Sequence, residues 1–135
     1  MKKLDNFTHC LDVLRKADFA LAEENEIYRT GVIGQFNLTF ELAWKALQAV
    51  LRIHGAEGAE TGSPREILQL GYKLGFVDDP DIWLTMIRKR NTSVHIYDEE
   101  GINEMLLLIR DSFTSAFGVL EKTLREKLAE AGDEL

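Results

Sequence analysis

The sequence has one cysteine and no long apolar run, and each of these shortages excludes a class of protein. A single cysteine, Cys10, cannot form an internal disulfide, and its place on an apolar helix face indicates a small core residue. The longest unbroken apolar stretch, residues 105–109, is far too short to cross a bilayer. Because no apolar signal core follows the opening Met-Lys-Lys-Leu-Asp, a cytoplasmic location is expected.

Basic residues are also scarce, since 16 Lys and Arg stand against 23 Asp and Glu, which gives a formal net charge of −7. Broad binding to nucleic acid needs many contacts between basic side chains and phosphates, so DNA is not an expected partner. Any phosphate recognition must be local, and positive charge is concentrated at Arg88-Lys89-Arg90. A basic run this short is usually a solvated helix face, which is the simplest interpretation of Arg88 and Lys89.

The rest of the chain has the patterning of helices. With 135 residues, of which 45% are hydrophobic and 29% charged, it fits one folded domain, residues 1–135. Apolar residues recur at steps of three and four, and no segment alternates as a strand would. The pattern predicts an all-α, antiparallel up-and-down bundle with a four-helix core and a short extra helix. Its five predicted helices span about 2–26, 28–54, 63–75, 79–90 and 99–131.

Local signals mark several helix ends. Ser63-Pro64-Arg65-Glu66 combines a capping serine, a proline at the first helical position and the glutamate of a capping box. Gly75 is predicted to stop that helix. Asp79-Pro80 repeats the combination of cap and proline, and Asp98 is the predicted cap of the last helix.

The segment from Arg90 to Glu99 is the candidate site, because it holds a guanidinium, a carboxamide, an imidazole, a phenol and carboxylates within ten positions. Arg90 is suited to clamp a phosphate, and His95 to transfer a proton near neutral pH. Because Arg90 and His95 are five positions apart, their side chains would lie roughly 140° apart around the axis of an ideal helix. They face one cleft only if the helix ends between them, and an extended chain beyond it would put Tyr97 on the same side as His95.

Phosphodiester cleavage by internal transfer requires both an acid and a base, whereas this segment has one imidazole. A two-fold symmetric dimer would bring a second Arg90 and a second His95 to the same cleft. An active site here therefore predicts a homodimer. The plain alternative for each residue is structural: an ion pair for Arg90, a helix-end histidine, and a half-buried interface phenol at Tyr97.

Four stretches of the sequence resemble the nucleotidyltransferase substrate-binding protein family, a branch of the HEPN superfamily. They lie in the same order and spacing as in that family. The stretches are Phe-Glu-Leu-Ala-Trp-Lys at 40–45, Ser-Pro-Arg-Glu at 63–66, Asp-Ile-Trp at 81–83, and Arg-Asn-Thr-Ser-Val-His-Ile-Tyr-Asp-Glu at 90–99. The last contains the Arg-x4-His-x-Tyr signature of the superfamily.

The resemblance implies a dimeric helical bundle that is encoded beside a small, separate nucleotidyltransferase and supplies its substrate-binding part. The chain would not itself be a nucleotidyltransferase and would need no cofactor, whereas the partner would use ATP and Mg²⁺. In related toxin–antitoxin pairs the helical chain is a metal-independent ribonuclease. There the resemblance makes Arg90 and His95 catalytic, with Asn91 in support, and Tyr97 the acceptor of AMP from the partner.

Two functions therefore remain open from the sequence. In the first, the chain is a docking and substrate-binding subunit, with Glu41, Lys45, Arg88 and Asp98 lining its groove. In the second it is an endoribonuclease toxin with RNA as substrate. The acidic charge favours the first and the complete motif favours the second. Glu41 and Lys45 are also spaced as a surface ion pair, and Trp44 and Trp83 are predicted to be core or interface residues. No metal site is predicted, since adjacent acids at a helix start usually serve capping.

Overall fold

The computed structural model describes residues 1–92 and 99–133, and every regular element in these ranges is helical, as predicted. The elements, in chain order, are α1 (Lys2–Arg15), α2 (Phe19–Glu24), α3 (Glu26–Ile53), α4 (Pro64–Lys73), α5 (Pro80–Thr92), α6 (Glu99–Leu108), a π-helical turn (Ile109–Phe113) and α7 (Thr114–Asp133). The longest helix, α3, packs against α1, α2, α4, α6 and α7 and is the centre of the bundle.

The first predicted helix, 2–26, is wrong in one respect, because the chain breaks it into α1 and α2. Asp18 adopts an extended conformation, with ψ of 97°, and its carboxylate accepts a hydrogen bond from the backbone N–H of Leu21 at 3.0 Å. Its own backbone N–H donates to the hydroxyl of Tyr28 at 2.7 Å. The acidic residue that interrupts the apolar stripe is thus the cap of a new helix, a role that Asp performs well.

The predicted helix starts in the middle of the chain are confirmed. Ser63 and Glu66 form the reciprocal capping box at the start of α4, with Pro64 at the first helical position. Gly75 follows α4 with a φ of 82°, a left-handed conformation that glycine adopts without steric cost. Asp79 Oδ1 accepts from the N–H of Ile82 at 3.4 Å at the start of α5. The predicted cap Asp98 lies outside the described residues.

The last predicted helix, 99–131, contains a π-helical turn that the periodicity did not predict. Met105, Ile109, Phe113 and Phe117 are all fully buried and follow one another at steps of four. On an ideal α-helix each such step drifts by about 40° around the axis. The wider π turn at Ile109–Phe113 takes up this drift and keeps all four side chains in the core.

Aromatic rings form the centre of the core. Phe36 of α3 stacks on Phe113 with ring centroids 5.0 Å apart, and Phe7 and Trp83 pack edge-on against Phe117 at 6.1 and 5.6 Å. Trp83 is 3% exposed, so its prediction as a core residue is confirmed. No helix of the described ranges is both long enough and apolar enough to serve as a membrane span.

Candidate functional site: a charged cluster at the end of α5

Arg90, in the last turns of α5, is held against the middle of α3. Its Nη2 donates to Oε2 of Glu41 at 2.6 Å, a charge-assisted hydrogen bond between residues 49 positions apart. Its Cζ lies 5.3 Å from the ring centroid of Phe40, within the range of a cation–π contact. Packing of α5 on the bundle thus brings Arg90 to two neighbouring residues of α3.

Glu41 is the centre of the cluster, because its carboxylate receives three donors. Besides Arg90, the indole Nε1 of Trp44 donates to Oε2 at 3.1 Å, and Nζ of Lys45 lies 3.2 Å from Oε1. Positions 41, 44 and 45 share one face of α3, as their spacing of three and four predicts. The ion pair of Glu41 and Lys45 expected from the sequence is therefore present, and it is part of a larger cluster that includes Arg90.

The environment of Glu41 favours its charged form. Partial burial by itself raises the pKa of the carboxyl, but the hydrogen bonds from Trp44 and Lys45 lower it. The charges of Arg90 and Lys45 lower it further, so that the pKa of Glu41 lies below its ordinary value of 4.5. The carboxylate thus stays ionised in the folded protein at neutral pH.

This shift predicts an acid-dependent loss of stability. A carboxyl whose pKa is lower in the folded state stabilises the fold above its unfolded pKa, and that contribution disappears as the pH falls through the folded pKa. We expect Glu41→Gln to cost on the order of 1 kcal/mol at pH 7, and to cost progressively less as the pH falls below 4.5. Urea unfolding at a series of pH values measures this, with Glu57→Gln, at an exposed position of the 55–62 loop, as a control for net charge. A cost of Glu41→Gln that did not change with pH would contradict it.

The two cations that precede Arg90 contact different residues. Lys89 Nζ forms an ion pair with Glu104 Oε1 of α6 at 2.9 Å, and Arg88 Nη2 donates to the hydroxyl of Thr85 at 3.2 Å. These four side chains and Leu108 line a surface cavity of about 380 Å³. The lining of this cavity does not include Glu41 or Lys45, so the place of Arg88 in one groove with those residues stays a prediction.

Several predicted site residues lie outside the described part of the chain. They are His95, Tyr97 and Asp98, together with the side chain of Asn91. Their proximity to Arg90, and the common cleft of imidazole and guanidinium, stay predictions from the sequence. Within residues 1–92 and 99–133, no three His, Cys, Asp or Glu side chains cluster as metal ligands would.

Sequence reasoning missed two contributors to the cluster, Phe40 and Trp44. Trp44 is half-buried and packs against the core, as predicted, but its indole also hydrogen-bonds to Glu41. The signal was present in Phe-Glu-Leu-Ala-Trp-Lys at 40–45, where an aromatic residue precedes the acid and a donor follows one turn later. The spacing of residues within that stretch does not predict its contact with Arg90, because Arg90 lies on another helix.

The fold and this cluster define a class of protein: a helical bundle with an Arg–Glu–Lys cluster at its surface. A family model described as "nucleotidyltransferase substrate binding protein like" matches residues 2–126. The chain belongs to this family.

Solved structures are consistent with that assignment. The chain is similar to a Haemophilus influenzae protein whose structure is described as the fold of a substrate binding domain of a nucleotidyltransferase. The TM-score is 0.76 at 19% identity, over 90% of this chain and 98% of that one, which supports the fold alone. A Thermus thermophilus protein is similar with a TM-score of 0.65 at 26% identity, over 93% and 98% of the two chains. A search of curated proteins finds no match.

Proposed function

We propose that the chain is the substrate-binding and docking subunit of a separate small nucleotidyltransferase. The family match over residues 2–126 carries this proposal. The acidic net charge of −7 supports a binding subunit over an enzyme that must attract a polyanionic substrate. The nucleotidyl transfer itself, with ATP and Mg²⁺, is assigned to the partner protein, and this chain contributes no cofactor of its own.

We place the groove at the cluster of Arg90, Glu41 and Lys45. Three ionisable groups converge there from α3 and α5, and the guanidinium of Arg90 also contacts the ring of Phe40. A planar guanidinium held in this way suits recognition of a phosphate. Arg88 and Asp98 complete the groove in this proposal.

The proposed subunit is a homodimer. A two-fold axis would bring a second Arg90 to the shared groove, and it would also supply the second His95 that the catalytic alternative below requires. The partner nucleotidyltransferase would bind outside this shared groove, because it must reach a substrate held there.

Co-expression with the nucleotidyltransferase encoded next to this chain tests the proposal. We expect the two proteins to co-purify, and light scattering to give a mass for this chain alone of twice 15.4 kDa. An unrelated small nucleotidyltransferase is the control for non-specific association. Failure to co-purify would contradict the docking function, and a stable monomer at micromolar concentration would contradict the paired groove.

The complete Arg-x4-His-x-Tyr motif supports one alternative, a ribonuclease toxin with Arg90 and His95 catalytic and Tyr97 the acceptor of AMP. Expression of the chain alone, compared with His95→Ala, tests it by growth arrest and by cleavage of cellular RNA. Removing a general acid or base typically slows such chemistry by about 10²–10⁴-fold. Equal behaviour of the two proteins would exclude the toxin function. Mass spectrometry after incubation with the partner, ATP and Mg²⁺ tests whether AMP is attached to Tyr97. If the Tyr97→Phe variant still carries AMP, another residue is the acceptor.

A further inference from the structure

We propose that Glu41 is a built-in competitor for phosphate, which occupies Arg90 in the unliganded protein and so limits which anions the groove binds. This inference rests on the proposed groove and names the residue that sets its affinity. It concerns the regulation of the site, whether the phosphate belongs to a free nucleotide or to RNA.

The geometry carries the inference. Glu41 presents a carboxylate oxygen to Arg90 Nη2 at 2.6 Å, and it therefore occupies a donor that a phosphate oxygen would use. The two side chains are 28% and 33% exposed, so the pair is open to solvent from one side. Because Phe40 lies 5.3 Å below the guanidinium, Arg90 cannot turn freely toward a second acceptor while it keeps that ring contact.

The carboxylate of Glu41 has two partners besides Arg90. The indole N–H of Trp44 lies 3.1 Å from Oε2, the oxygen that also binds Arg90, and the ammonium of Lys45 lies 3.2 Å from Oε1, so donors are at hand for the carboxylate when a phosphate displaces it from Arg90. Exchange therefore leaves no carboxylate buried without a partner, which would be costly. A phosphate that displaces Glu41 meets the positive charges of Arg90 and Lys45, which both lie beside that carboxylate.

A competing role for Glu41 is to position Arg90 for its ligand. The two roles predict opposite effects of neutralising the residue. Loss of positioning would weaken binding, whereas loss of competition would strengthen it. The ring of Phe40 is a contact of the guanidinium that does not involve Glu41, and a full negative charge at hydrogen-bond distance opposes any incoming anion directly. Competition is therefore the larger effect.

The experiment compares the affinity of wild type and Glu41→Gln for two probes, inorganic pyrophosphate and a single-stranded RNA oligonucleotide, by calorimetry at one ionic strength. Glutamine keeps the length of the side chain and a hydrogen-bond acceptor but removes the charge. We expect about tenfold tighter binding of the probe that the groove accepts. The probe that responds identifies the source of the phosphate.

Glu104→Gln is the matched control, since it removes the same charge from the carboxylate that pairs with Lys89. We expect less than about threefold change from it, because Glu104 is 62% exposed. The double variant Glu41→Gln with Arg90→Gln should lose the gain entirely. Glu41→Asp, which keeps the charge but withdraws it by one methylene, should give an intermediate gain and serves if Glu41→Gln does not fold.

The outcomes separate this inference from the proposed function. Binding that depends on Arg90 but weakens or stays unchanged in Glu41→Gln overturns the competitor and leaves the groove intact. An equal gain in Glu104→Gln also overturns it, because the effect would then be one of net charge. Absence of binding of either probe by every variant overturns both the inference and the groove.

Discussion

Replacing Phe36 with alanine is expected to lower the free energy of unfolding by about 3–5 kcal/mol. Phe36 is fully buried at the centre of α3 and stacks on Phe113 with ring centroids 5.0 Å apart and planes 23° apart. It also lies 6.0 Å from Phe117, so a single ring joins α3 to the π-helical turn and to α7. Its removal leaves a cavity and ends two aromatic contacts, each worth about 0.5–1.5 kcal/mol beyond the area buried.

Urea unfolding followed by circular dichroism measures this loss, at one protein concentration because the stability of an oligomer depends on it. Leu38→Ala is the matched control, since Leu38 lies on the same helix and is 47% exposed. We expect it to cost less than about 1 kcal/mol. Similar costs for the two variants would mean that the aromatic cluster is not the core of the protein in solution.

Replacing Trp83 with alanine is expected to cost about 3–5 kcal/mol as well, and also to affect the charged cluster. Trp83 contacts Phe117 at 5.6 Å on one side and Phe40 at 6.2 Å on the other. Phe40 is the ring on which Arg90 lies. The indole of Trp83 therefore packs against the ring that contacts Arg90. Its loss should weaken phosphate binding at Arg90 in addition to lowering the free energy of unfolding.

Two variants separate these effects. Trp83→Phe keeps a ring in the core, so it should lower the free energy of unfolding by less than half as much as Trp83→Ala. Trp44→Phe leaves Trp83 in place and removes a hydrogen bond to Glu41, at a cost of about 0.5–1.5 kcal/mol. Thermal unfolding and pyrophosphate affinity are measured on the same samples. If Trp83→Ala lowered stability but left affinity unchanged, Phe40 would not depend on Trp83 for its position.

The sequence indicated the family of the protein, but it did not indicate the geometry of the site. The stretches at 40–45, 63–66, 81–83 and 90–99 pointed to the family that the match over residues 2–126 shows. They did not indicate how these stretches meet in space. The contact of Arg90 with Glu41 joins the first stretch to the last, and it exists because α5 packs on the bundle beside α3.

By itself, the sequence determined the helical class and most helix ends, because these depend on interactions within one or two turns. The capping box at Ser63, the stop at Gly75 and the cap at Asp79 each involve residues no more than three positions apart, or one glycine. The break at Asp18 is also a local cap, on Leu21 three positions away, which the apolar periodicity alone did not predict. Tertiary structure alone decided the π-helical turn at Ile109–Phe113 and the partner of Arg90. In the π-helical turn, burial of four side chains outweighs regular helix geometry. At Arg90, the packing of two helices brings together charges 49 positions apart.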